Sequence, residues 1–176
     1  MDIRTFDTYH PDIASTAYID PMATVIGQVL IGKDSSVWPF VSIRGDMHRI
    51  HIGEGTSIQD GTVIHVTHAG DFNPEGYPTS VGDFVTVGHK VTLHGCTIGD
   101  YCIIGMDSTI LDGAIIEDNV LLAAGSLVLP GKTLKSGYLW AGRPAVAKRP
   151  LTESEMAFFE YSAQNYIKLK NQYMAI

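Results

Sequence analysis

The sequence predicts a mainly β fold: a parallel coil of short strands followed by one C-terminal α-helix. Three observations predict it. Large aliphatic residues recur at six-residue intervals, small or β-branched residues often stand four places after them, and the pattern gives way to helical spacing near the C-terminus. Ile19, Val25, Ile31, Val37 and Ile43 form one series, Ile52, Ile58 and Ile64 a second, and Val81, Val87 and Leu93 a third. The fourth runs unbroken from Ile98 through Ile104, Ile110, Ile116, Leu122 and Val128 to Leu134. A helical period of 3.6 cannot produce this, and plain alternation would not repeat so long.

Each six-residue unit reads as one flat side of the coil. One large and one small residue point inward, and units stack at the strand spacing of about 4.8 Å. Glycine often follows the aliphatic, at Gly32, Gly53, Gly82, Gly88, Gly99 and Gly105, and the expectation is a corner needing positive φ. Cys102 falls four places after Ile98, in a small-residue slot, and reads as a buried small hydrophobe rather than a nucleophile. Residues 65–80 are rich in turn formers and read as a loop leaving the coil, and three extra residues near Asp46–Arg49 make a smaller bulge. The repeat stops after Gly142-Arg143-Pro144. The expected organisation is a coil domain over 1–145, with its excursion at 65–80, then a linker and helix over 146–176. Thr152 and Glu155 have capping-box spacing. Met156, Phe159, Ala163, Tyr166 and Leu169 or Lys170 follow at helical intervals. An amphipathic helix over 152–173 is therefore expected, packed on a coil face or a neighbouring subunit.

Composition narrows the function. The chain has 176 residues, enough for one domain with a short appendage. Its net charge of −7 argues against nucleic acid, which needs clustered Lys and Arg. Two cysteines, Cys96 and Cys102, exclude a disulfide framework and point to a reducing compartment. The first residues have neither a basic start nor an apolar run, so no signal peptide is expected. No stretch reaches the ~18 apolar residues of a membrane span. The expectation is a cytoplasmic protein without membrane or nucleic-acid partners.

The repeats resemble those of hexapeptide-repeat proteins. That resemblance implies a left-handed parallel β-helix, a triangular prism with three units per coil. Seven histidines, His10, His48, His51, His65, His68, His89 and His94, can then be placed in register. With three units per coil and 65–80 as an excursion, Ile64 and Leu93 lie one coil apart. His65 and His94 each follow by one residue and share an outward slot on adjacent coils, about 4.8 Å apart. Arg44, after Ile43, joins the same column. His89 stands two places after Val87, and Asp60 two places after Ile58 beside Gln59; these form a second column on another side. In one chain the columns face apart. In a cyclic trimer, one subunit's first column meets its neighbour's second, and the ring closes. His65 and His94 then meet the neighbour's His89, and Arg44 meets its Asp60. Three imidazoles with one open position are the donor set of a catalytic zinc site.

Arg44-Gly45-Asp46, Gln59-Asp60, His65, Gly88-His89-Lys90 and His94-Gly95-Cys96, set in hexapeptide repeats, resemble the gamma-class carbonic anhydrases, in particular a short bacterial branch of carbonic anhydrase-like proteins. The likeness covers nearly the whole chain, including Tyr161-Ser162-Ala163-Gln164-Asn165-Tyr166 in the helix. It implies a homotrimer holding Zn2+ (or Fe2+ or Co2+) through His65 and His94 of one chain and His89 of the next. It implies an Arg44–Asp60 salt bridge between subunits with Asp46 nearby, Gln59 bonded to a reactive hydroxide, and Tyr161 and Asn165 lining the pocket. The implied reaction converts CO2 and water to bicarbonate. Met47 stands where the best-characterised members carry glutamate, and the only loop acids are Asp71 and Glu75, neither at a matching proton-shuttle position. His68 is one further imidazole in that loop. Other readings of the same residues are a metal-assisted thioesterase or hydrolase, an acyltransferase on the shared fold, and a trimeric scaffold with a structural metal.

Overall fold

The computed structural model describes residues 2–175. The six-residue period becomes three ladders of parallel strands, each with every coil's aliphatic stacked on the last. On the first face the column is Ile19, Val37, Ile58, Val87, Ile104, Leu122 and Trp140. The second face stacks Ile3, Val25, Ile43, Ile64, Leu93, Ile110 and Val128. The third stacks Ile13, Ile31, Ile52, Val81, Ile98, Ile116 and Leu134. Strands Thr24–Ile31 and Ser42–Ile52 run round the corner between the second and third faces and join them into one 12-stranded sheet. The fold is thus the parallel β-solenoid that the periodicity implied. Its interior is filled by these three stacks together with small residues; Ala23, Ser35, Thr56, Val91, Cys102 and Ser126 are all fully buried.

The glycines after the aliphatics serve a different purpose from the one expected. Gly32, Gly53, Gly82, Gly88, Gly99 and Gly105 do not have positive φ. They are needed because coils approach closely there: a Cβ on Gly32 would lie 2.6 Å from the Gly53 carbonyl oxygen, and one on Gly88 2.8 Å from the Met106 nitrogen. Many of the positive-φ turns fall on non-glycine residues, among them Asp34, Phe40, Phe84, Lys90 and Asp107.

The excursion is shorter than 65–80, because His65 ends strand Val63–His65 and Thr79 begins strand Thr79–Val81. Its stem is held by Thr67 bridging Tyr77, and Phe72 stands fully exposed near the tip. The bulge near Asp46–Arg49 appears as a register shift: Gly45 pairs with Gly27 and Ile50 with Val29, leaving four residues opposite Gln28. After the last coil the expected linker is a strand, Val146–Pro150, antiparallel to Tyr138–Ala141.

The helix runs Glu153–Met174 behind a complete capping box, in which Thr152 Oγ1 accepts from the Glu155 amide and Glu155 returns the bond. It packs on the first face of its own chain. Phe159 and Ala163 are buried, and Ser162 shares a 2.8 Å hydroxyl hydrogen bond with Thr86. Buried Lys170 donates to the Thr16 carbonyl at 2.6 Å and to Asp34 at 2.8 Å. Met156, expected in the apolar stripe, is exposed. Among the described residues no helix is long and apolar enough to cross a membrane.

Candidate metal centre

Strand alternation puts Arg44, His65 and His94 on the outer surface of the second face, with Ile43, Ile64 and Leu93 behind them in the core. His65 and His94 are ladder partners on adjacent coils. His65 Nδ1 and His94 Nε2 face each other at 3.3 Å. The outer nitrogen of each ring meets a carboxylate: His65 Nε2 lies 3.0 Å from Asp46 Oδ1, and His94 Nδ1 2.6 Å from Asp112 Oδ1. A carboxylate takes the ring N–H, so each acid fixes a tautomer and leaves the inner nitrogen as a bare acceptor. Two lone pairs then point at one another across 3.3 Å, an arrangement that a cation or proton between them must satisfy. For an ion with metal–nitrogen bonds of about 2.0–2.1 Å, two corners of a tetrahedron are about 3.3–3.4 Å apart. The pair fits two ligands of such an ion.

Supports extend outward on both sides. Arg44 forms an ion pair with Asp46. Partial burial pushes the Asp46 carboxyl up, but the hydrogen bonds from His65 and Arg44 outweigh it and hold it below the usual carboxylate range. Asp112 accepts a second hydrogen bond, at 2.8 Å, from the Thr67 hydroxyl at the base of the loop. Glycines make room for these groups. A Cβ on Gly45 would lie 2.6 Å from the Gln28 carbonyl, and one on Gly95 would strike the Asp112 carboxylate.

His89 occupies the first face. Its Nδ1 lies 3.0 Å from Asp60 Oδ2, which likewise leaves Nε2 bare. It borders a cleft of about 270 Å³ with Trp38, Gln59, Asp60 and Tyr166, and Gln59 is buried there. Among the described residues of the single chain, no three His, Cys, Asp or Glu side chains form a complete metal-holding group. The chain thus carries two separate groups, one of two imidazoles and one of a single imidazole, each ring backed by its own aspartate.

Comparison with known proteins places the chain. A model of the bacterial transferase hexapeptide (six repeats) matches residues 78–112 and 95–130. Protein YrdA of Escherichia coli is 49% identical over 98% of this chain and 94% of its own length. Gamma carbonic anhydrase 2, mitochondrial, of Arabidopsis thaliana is 43% identical over 90% of this chain, which spans only 57% of that protein. The chain belongs to the gamma carbonic anhydrase-like hexapeptide-repeat family. A crystal structure of a hexapeptide transferase family protein from Anaplasma phagocytophilum superposes with a TM-score of 0.90, at 44% identity over 98% of each chain.

Against that family background, the remaining expected residues fall into three groups. Arg44, Asp46, His65 and His94 are together on the second face, and Gln59, Asp60 and His89 are together on the first. Within the chain Arg44 pairs with Asp46, and Asp60 with His89. Tyr161 and Asn165 are exposed on the helix and do not line the His89 cleft of their own chain; Tyr166 lines it instead. His48 bonds the Glu75 carbonyl at 3.2 Å, which ties the bulge to the loop. Sequence reasoning missed Asp112 and Thr67. The signal for Asp112 was its place two residues after Ile110, directly one coil beyond Gly95, where a missing side chain opposite an acid marks a space reserved for it.

Proposed function

We propose that this protein is a metal-dependent carbonic anhydrase-like hydratase that converts CO2 and water to bicarbonate at sites shared between the subunits of a cyclic homotrimer. The observation that carries the reading is the pair of bare imidazole nitrogens 3.3 Å apart, each with an aspartate behind it. His65 and His94 of one subunit and His89 of the next hold Zn2+, with Fe2+ or Co2+ as substitutes in the same donor set. Zinc bound by three imidazoles acidifies water towards a pKa of about 7, a figure that belongs to carbonic anhydrase itself.

The chain's own groups do the rest. Asp46, Asp112 and Asp60 hold the three rings in the ligating tautomer and add to their basicity. Arg44 keeps Asp46 ionised and turned towards His65, and in the trimer it faces the neighbour's Asp60 across the contact. Gln59, buried beside His89, positions the attacking oxygen by hydrogen bonding. Tyr161 and Asn165, exposed on the helix, close the pocket from the adjoining subunit. With no acid where relatives carry a shuttle, the proton leaves through buffer and the open side of the cleft. Two free buried thiols, Cys96 and Cys102, support a cytoplasmic location.

The likeness to a hexapeptide transferase family protein favours acyl transfer as the second reading. The paired nitrogens argue against it, because a general base needs one imidazole and not two facing lone pairs. Stopped-flow CO2 hydration by zinc-loaded protein, and by iron-loaded protein without oxygen, tests the proposal. Activity lost in His94→Ala supports it. Metal-loaded trimer that turns over thioesters but not CO2 replaces the reaction with a hydrolytic one, and a metal-free monomer refutes the site altogether.

A further inference from the structure

A second cavity lies away from the histidine pair. It is an open groove of about 700 Å³ on the third face, within the range of small-molecule sites. Its floor is an outward column on four successive strands: Leu30 pairs with His51, His51 with Ser80, and Ser80 with Thr97. At about 4.8 Å per step the column is roughly 14 Å long. One wall is Tyr9, held by paired backbone hydrogen bonds to Phe6. The opposite wall is Pro78, at the foot of the excursion loop.

The chemistry of the lining is uneven. Arg49 and His51 alternate with buried Ile50 and Ile52, so both side chains stand on the outer surface of one strand, two residues apart. Among the described residues neither the Arg49 guanidinium nor the His51 ring has a hydrogen-bond or ion-pair partner. His10 stands beside them, its Nδ1 3.0 Å from the Thr5 hydroxyl. The lining contains one acid, Asp12. On a chain of net charge −7, a cavity with an unpaired guanidinium and two imidazoles is a local attractor for anions. Leu30 and Pro78 offer apolar surface next to it, and Ser80 and Thr97 offer hydroxyls.

We infer that this cavity binds a small organic monocarboxylate, its carboxylate on Arg49 and His51 and its apolar body along Leu30 and Pro78. The Arg49 guanidinium matches a single negative charge, and Asp12 repels a second. A planar carboxylate suits the guanidinium fork. The inference does not rest on the proposed reaction, since His65, His89 and His94 are not among the residues lining the cavity.

Benzoate and its neutral isostere benzamide are suitable probes, titrated in parallel into the purified protein while its backbone amide spectrum is followed. The expected result is a saturable benzoate shift at Leu30, His51, Ser80 and Thr97, with benzamide at least about tenfold weaker, the ordinary effect of removing a charge-assisted pair. Arg49→Gln should weaken benzoate by about tenfold and leave benzamide unchanged; the rest of its spectrum reports whether the fold is retained. His51→Gln should weaken benzoate less and serves if Arg49→Gln disturbs the fold. The inference is overturned if benzoate and benzamide shift these amides equally, if both variants bind benzoate as the parent does, or if the shifts gather around His65 and His94.

Discussion

Asp112 touches no substrate position, yet its removal should weaken metal binding. Its Oδ1 accepts from His94 Nδ1 at 2.6 Å and its Oδ2 accepts from Thr67 at 2.8 Å, so the carboxylate is gripped from both sides. Asp112→Asn keeps an acceptor for the ring but loses the charge, and Thr67 must reverse its hydroxyl to bond the amide nitrogen. Asp112→Ala removes the acceptor, after which nothing selects the tautomer with a bare Nε2 and the ring can rotate off its partner. Outer partners of this type are worth about 10–100-fold in metal affinity. The asparagine variant is expected near the lower bound and the alanine variant near the upper, about 1.4 and 2.7 kcal/mol. Thr67→Val should fall below both. Zinc affinity measured by competition with a chromogenic chelator reads these losses without needing turnover. Unchanged affinity in Asp112→Ala would show that His94 is not oriented by this acid, and the tautomer argument for the pair would fall with it.

Three further outcomes are expected. Co-assembled His89→Ala and His94→Ala chains, each inactive alone, should regain about one quarter of the parental CO2 hydration, because one in four neighbouring pairs in a closed ring brings an intact His94 to an intact His89; a site within one chain would regain none. Gly95→Ala should lower both thermal stability and zinc affinity, since φ at this residue is +57° and a Cβ would meet Asp112 as well as Tyr77 at 2.6 Å; a variant that melts and binds like the parent would contradict the close approach. Hydrogen bonds from Arg149 and Thr152 depress the Glu155 pKa from 4.5 to about 2. The contribution of this depressed carboxyl is complete above pH 4.5 and lost as pH falls towards 2, so amide protection at the start of the helix, taken relative to intrinsic exchange at each pH, should fall across that window, and in Glu155→Gln this pH-dependent loss should be absent.

The coil was legible because its inward slots tolerate only bulky aliphatics and small residues, and a residue's offset from an aliphatic says which way it points. That is why His65 and His94, each one place after a core residue, could be paired from sequence, and why Asp60 could be set against His89. The glycines were legible as constrained positions but for the wrong reason: a pattern shows that a side chain is missing, not whether φ or a neighbouring coil forbids it. Asp112 was hidden because it lies off the histidine slot and acts from the next coil. Within the chain Arg44 pairs with Asp46, a contact set by side-chain reach along one strand that the six-residue spacing does not encode. The helix stripe gave no address either. Lys170, one of the two candidates for the last stripe position, is the buried one, because Thr16 and Asp34 form its receptor on the first face.

The reversed strand Val146–Pro150 bears on how copies of this molecule coexist at high concentration. A stack of parallel rungs ends in an open edge that matches its own beginning, and such an edge invites head-to-tail growth into filaments. Here the final rung of the first face is sealed by a segment running the opposite way, which presents Lys148, Arg149 and Pro150 outward. An incoming rung would meet the Lys148 side chain and, at Pro150, a tertiary amide nitrogen without a proton to donate. On this face the terminus thus acts as a stopper.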